Sequence, residues 1–310
     1  MAHRRDVPLV CASMAEHGVA TLFGGALRPN DPRRFLIEAM IGSMNADGII
    51  DPREIAVLEH HIATHKLFRG LGAVAGKTLI DLSTDAIKFA GGAMARTAAI
   101  AKGLPARIHR LAAYGMAAEI AAADDDVHRF ELQYLEALRM ALRISPRESG
   151  EIVTRATRGT IPEYLDDRYL RIKSLIPVAA EVFALRALAR AMANDDHRFK
   201  VRDFFAAIPD LQMSEDELDG ELFRAFRRQR APNAQVFGEL SRVGAQLPDP
   251  VDRYWIVVYT LVAELPATVP SWRVIPFIGV IQAAFKINDG DMELAVTDAL
   301  QFPAAMPRPG

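Results

Sequence analysis

Residues 43–54 read Ser43-Met44-Asn45-Ala46-Asp47-Gly48-Ile49-Ile50-Asp51-Pro52-Arg53-Glu54, a polar, glycine-bearing stretch between two runs of helical period. Upstream, DPRRFLIEAMIGSMN sets Phe35, Ile37, Met40, Ile41 and Met44 on one side, with Asp31 placed to cap and Pro32 at the first helical position. Downstream, Glu54 falls where the next helix begins. The stretch therefore reads as a corner joining two helices. Further along, FELQYLEALRMALRI repeats the helical stripe through Phe130, Tyr134, Leu135, Leu138, Ala141 and Leu142. Strand-type alternation with tight hairpin turns is absent. The expected fold class is all-α.

The corner also has the length of a calcium loop of the EF-hand kind. Such a loop needs oxygen ligands at positions 1, 3, 5 and 9, a glycine at 6 and a bidentate glutamate at 12. Counted from Ser43, these places hold Asn45 (3), Asp47 (5), Gly48 (6), Asp51 (9) and Glu54 (12), with apolar Ile50 at 8. Position 1 departs, because a serine hydroxyl stands where a carboxylate belongs. Asn45, Asp47, Asp51 and Glu54 are the candidate metal ligands, for calcium or a similar divalent cation.

The pattern recurs. AMIGSMNADGIIDPREIAVLEHHI is echoed by GMAAEIAAADDDVHRFELQYLEAL and again by ALARAMANDDHRFKVRDFFAAI. Asp47, Asp124 and Asp196 lie 77 and 72 residues apart, and an acid follows each seven residues on, at Glu54, Glu131 and Asp203. A fainter fourth copy, YTLVAELPATVPSWRVIPFIGVI, sets Glu264 in that place. Behind the corners stand helix-capping patterns: Ser145 with Glu148, Ser214 with Glu217, and Asn288 with Asp291. The later corners lose the calcium-loop chemistry. The second keeps only Asp124 and Glu131 in ligand places, with Asp126 beside them, and the third has His197 for the glycine. The competing reading of all these acids is electrostatic: at a helix start each stabilises by about 0.3–1 kcal/mol.

Composition narrows the classes. Half the 310 residues are apolar and the formal charge is −2 with both signs interspersed, so no basic field favours nucleic acid. A single cysteine, Cys11, excludes an internal disulfide and a cysteine zinc cluster, and suits a reducing compartment. The N-terminal apolar stretch is broken by Asp6, Pro8, Glu16 and His17 and lacks a signal-peptide core. YWIVVYTLVA (254–263) and VIPFIGVIQAAF (274–285) fall short of the ~20 residues a membrane span requires. The expectation is a cytoplasmic protein.

Other motifs weigh less. GAVAGKT at 72–78 imitates a phosphate loop, but Gly72 leaves three residues between the glycines where four are needed. His60, His61 and His65 lack the HExxH arrangement, and no nearby acid completes a ligand set. RAFRRQR at 224–230 is basic but has no adjoining aromatic platform in sequence. No serine elbow or cysteine–histidine arrangement stands out, so no enzyme is expected.

NADGIIDPREIAVLEHHI and AADDDVHRFELQYLEALRMALRIS, followed by SPRESGEIV, resemble the TerB-like domain of tellurite-resistance B proteins and related bacterial helical domains. The resemblance is clear over 31–69 and 106–157, fair over 177–226 and faint over 250–302. It implies a compact all-helical, cytoplasmic, non-catalytic binding or scaffold domain of bacterial stress response, with protein partners and a divalent metal held by acidic residues. By position these are Asp47, Asp51 and Glu54, then Asp124, Asp126 and Glu131. The chain departs from the family in carrying several units, in losing the later glycine and in residues 70–104. The expected organisation is an N-terminal segment (1–30) and three to four units in a bundle or short superhelix. Unit one is 31–104 with a glycine- and alanine-rich insertion at 70–104, unit two 105–176 and unit three 177–230. A linker with a short helix inside (231–249), a divergent unit (250–302) and a tail (303–310) follow. The alternative function is recruitment to a membrane surface through 70–104, with Lys77, Lys88, Arg96 and Lys102 as the basic side.

Overall fold

A computed structural model describes residues 31–48, 50–123, 128–208, 215–229, 235–265, 271–302 and 306–309. Cys11 and the rest of segment 1–30 lie outside them, as do Asp124, Asp126 and Ser214. Among the described residues every extended regular element is a helix and no strand occurs. Among these residues no helix is long and apolar enough to cross a membrane.

The chain divides into two compact units at Tyr164/Leu165, with Pro105–Ile108 counted to the second. The first unit contains α1 (Pro32–Met44), α2 (Pro52–Thr64), α3 (Ala73–Phe89), α4 (Ala93–Gly103), most of α5 (Arg107–Ala121), α6 (Arg129–Leu142) and α7 (Pro146–Ala156). The division falls within α8 (Ile161–Ser174). The second unit continues with α9 (Ile176–Ala189), α10 (Asp195–Ala207), α11 (Glu215–Gln229), α12 (Val236–Ala245), α13 (Pro250–Glu264), α14 (Pro276–Phe285) and α15 (Asp289–Ala299).

Local chemistry starts these helices where the residues allow. Asp31 accepts from the Arg33 amide (2.9 Å), Asp51 from Arg53 (2.7 Å) and Asp249 from Val251 (2.9 Å), each with proline next in line. The cap satisfies an amide that the helix cannot, and proline has none to lose there. In the first unit α1 is the axis: every residue from Phe35 to Met44 is buried. It packs on α3, α4 and α6, and α4 packs on α6. Burying Leu36, Ile37 and Met40 contributes roughly 1.5–3 kcal/mol each. Close approach decides Gly42, where a Cβ would stand 2.2 Å from the Tyr134 hydroxyl oxygen. Tyr134 is itself buried and donates to the Ala39 carbonyl (3.1 Å).

Residues 70–104 lengthen the first unit and pack within it. They supply α3 and α4, which bury Leu79, Ile87 and Ile100 in packing that includes α1. The exposed side of α3 mixes Lys77 and Lys88 with Asp81 and Asp85, which is not the uniformly basic side of a membrane-surface helix. Region 231–249 holds a short helix that is packed into the core. It contains α12, which buries Leu240 and Val243 and packs on α9 and α14, with Gly244 against Phe285.

The two units follow one plan. In the second, α9 is buried through most of its length and packs on α11 and α12, and α12 packs on α14, matching α1 with α3 and α4, and α4 with α6. Helices α10, α13 and α15 have the spans of α2, α5 and α7 moved by 143 residues. The caps move with them: Asp51 becomes Asn194, and Ser145 becomes Asn288. Two left-handed residues also correspond, Arg143 (φ 57°) and Lys286 (φ 56°). So do two buried glutamates. Glu38 accepts from Arg34 and Arg96 (2.9 and 2.8 Å); Glu181 accepts from Arg228 and from Arg242 (2.7 Å).

This shift corrects the shorter repeat in part. The spacing of 77 holds for the first two corners, since α6 begins 77 residues after α2 and both start with a capping glutamate. The third register fails. Asp196 sits in the first turn of α10 and Asp203 inside the same helix, so neither occupies the place of Asp47 or Glu54.

Candidate functional site

The corner between α1 and α2 has a backbone suited to a tight, polar turn. Met44 ends α1, Gly48 takes φ +82°, a left-handed conformation that favours glycine, and Pro52 opens α2. The side chains, however, turn toward protein groups. Ser43, fully buried, donates to the Ala117 carbonyl (2.9 Å), and the Asn45 amide nitrogen donates to the Ile41 carbonyl (2.8 Å). Asp51 accepts from the Arg53 amide and from the Arg53 guanidinium (3.0 and 3.2 Å). Those bonds hold its carboxyl below the usual range. Glu54, buried, accepts the Asp51 amide proton (2.9 Å) and completes a reciprocal capping box. Asp47 lies in the turn.

The α5–α6 corner repeats the device. Glu131 is buried and accepts from the His128 amide at 2.7 Å. Its predicted companions Asp124 and Asp126 lie outside the described residues.

A divalent cation would need such oxygens converging at about 2.3–2.6 Å. Among the described residues no three His, Cys, Asp or Glu side chains stand together so as to hold a metal ion. As they stand, the donors of the first corner do not fit one. Glu54 would have to release the Asp51 amide, and Asp51 its bonds to Arg53.

Residues 33–154 match the family model of tellurite resistance protein TerB, a span running from α1 to α7. This segment is a TerB-like domain. The match takes in residues 70–104 and covers parts of both of the first two expected units with a single domain. No curated protein and no solved structure matches the chain.

Within the TerB-like domain one of the three histidines meets an acid distant in the sequence. His61 Nε2 lies 2.8 Å from Glu119 Oε2, both side chains buried, and the Ile161 amide donates to the other Glu119 oxygen (3.4 Å). His65 Nδ1 accepts from the Leu67 amide (3.2 Å), and His60 and His61 stack edge to face. Beside the first corner a cavity of about 260 Å³ is lined by Asn45, Gly92, Met94, Phe130, Gln133 and Tyr134 among others, with no carboxylate or cation in its wall. The imitation phosphate loop is helical from Ala73 onward and forms the start of α3.

The place of the TerB-like corner is held differently in the second unit. Moving each residue by 143 puts Arg186 where Ser43 stands, Arg190 for Asp47, Asn194 for Asp51 and His197 for Glu54. Arg186 is fully buried and donates through Nε to Glu264 (2.5 Å), while Arg190 donates to the other oxygen of that carboxylate. Arg186 also lies 3.4 Å from His197 Nε2. Burial lowers the Arg186 pKa. It also pushes His197 down to about 4, helped by Arg186, Lys200 and Arg190, so this imidazole is neutral near pH 7.

The sign of that shift sets a pH dependence. With a folded pKa below the ordinary 6.5, His197 binds its proton more readily once unfolded. Its contribution is complete above pH 6.5 and is lost as pH falls toward 4. Denaturant unfolding followed across this window should show stability falling with acid, and His197→Gln should flatten the slope. Identical slopes in the two proteins would contradict the assignment.

Proposed function

We propose that the chain is a tandem of two TerB-like domains acting as a non-catalytic binding and scaffold protein of a tellurite-resistance-like bacterial stress response. The family match of residues 33–154 carries the family assignment. The 143-residue correspondence of helices, caps and buried glutamates supports reading the second unit as a divergent copy. Asp51, Glu54 and Glu131 are engaged in caps, and Glu38, Glu181 and Glu264 in ion pairs, the chemistry of a scaffold rather than of proton transfer. Its partners are proteins. A divalent cation is not required by this reading.

Expression in a tellurite-sensitive bacterium tests it. Cells carrying the full chain should grow at tellurite concentrations that stop the vector control, while the purified protein leaves tellurite chemically unchanged. Growth equal to the control would contradict the role, and turnover of tellurite by the purified chain would contradict the absence of catalysis.

A further inference from the structure

The two corresponding corners place different charged groups at the same positions, yet both are closed by groups of the chain itself. In the first, four of the five residues at the loop places for a cation bond to protein groups: Ser43 to Ala117, Asn45 to Ile41, Asp51 to Arg53, and Glu54 to the Asp51 amide. In the second, arginines occupy two of the same places, and the buried carboxylate of Glu264 spans them from α13. Residue 121, which corresponds to Glu264, is alanine in the first unit. A corner with guanidinium groups at ligand positions repels a divalent cation. That the same architecture accepts them means that the corner does not need one.

We propose that the helix corners of this protein are metal-independent: the acidic one is a helix cap, and its counterpart contains a built-in cation. Asp51 and Glu54 then serve α2, whose first-turn amides have no partners within the helix. The part concerning the second unit rests on the pairing of the two units proposed above. The part concerning Glu54 does not, so the two can fail separately.

Glutamine and glutamate are interchangeable as the third residue of a capping box, but only glutamate gives a cation a charged, bidentate ligand. Hydrogen–deuterium exchange of the full chain, read over Asp51 and the first turn of α2, uses that difference. With millimolar calcium, manganese or zinc the wild-type exchange should not change. Glu54→Gln should exchange like the wild type, and Glu54→Ala about fivefold faster, as expected for loss of a helix cap. Protection by any of the three metals in the wild type, lost in Glu54→Gln, would overturn the proposal. So would faster exchange in Glu54→Gln without metal. If Glu54→Ala does not fold, the metal series and the glutamine variant still decide.

Discussion

Glu264→Gln lowers the stability of the second unit by about 3–5 kcal/mol, the range for breaking a buried ion pair from one side. The Glu264 side chain is fully buried, as is that of Arg186, and its two oxygens serve two guanidinium groups. The glutamine keeps the shape and can accept from one arginine, but it supplies no charge. Arg186 then remains buried beside His197, which is neutral and cannot compensate. The double change Glu264→Leu with Arg186→Leu should be less damaging than Glu264→Gln alone, because it removes both buried charges rather than one. Arg190 is about one-third exposed and can turn to solvent in that variant. Denaturant unfolding of the three proteins reads this order. A loss below about 1 kcal/mol for Glu264→Gln would mean that the cluster is wet or differently paired.

Gly42→Ala is the second large effect, in the TerB-like domain. The added methyl carbon would lie 2.2 Å from the Tyr134 hydroxyl oxygen and 2.5 Å from the ring carbon bearing it. Tyr134 is buried and tied by its hydroxyl to the Ala39 carbonyl, so its ring has little room to retreat. Overpacking of this kind costs about 1–3 kcal/mol. A smaller residue at 134 should absorb part of that cost. In a double-mutant cycle, Gly42→Ala should therefore destabilise a Tyr134→Leu background less than the wild type. Equal costs in both backgrounds would place the clash elsewhere.

What the sequence made legible followed from local rules. Asp31 before Pro32, Ser145 before Pro146 and the apolar stripe through Tyr134, Leu135 and Leu138 required only neighbouring residues, and they settled the all-α class. The first repeat was legible because Glu54 and Glu131 have one job in both copies. The next register failed because it followed aspartates. At corresponding places the two corners carry different residues, so Asp47 corresponds to Arg190 while the nearby acid Asp196 is a helix-start residue. His61 and Glu119 are far apart in sequence and only packing joins them. One readable signal remained for the second cluster. Arg186 and Glu264 are charged residues within strongly apolar helical runs, and buried charges require partners.

The central claim is that one helical plan occurs twice, shifted by 143 residues. An experimentally determined structure of the full chain tests it directly when α2, α5 and α7 are superposed on α10, α13 and α15. Helices α1, α4 and α6 should then fall on α9, α12 and α14 in the same directions, with Arg190 where Asp47 stands. A second unit whose helices follow a different order or direction would contradict it.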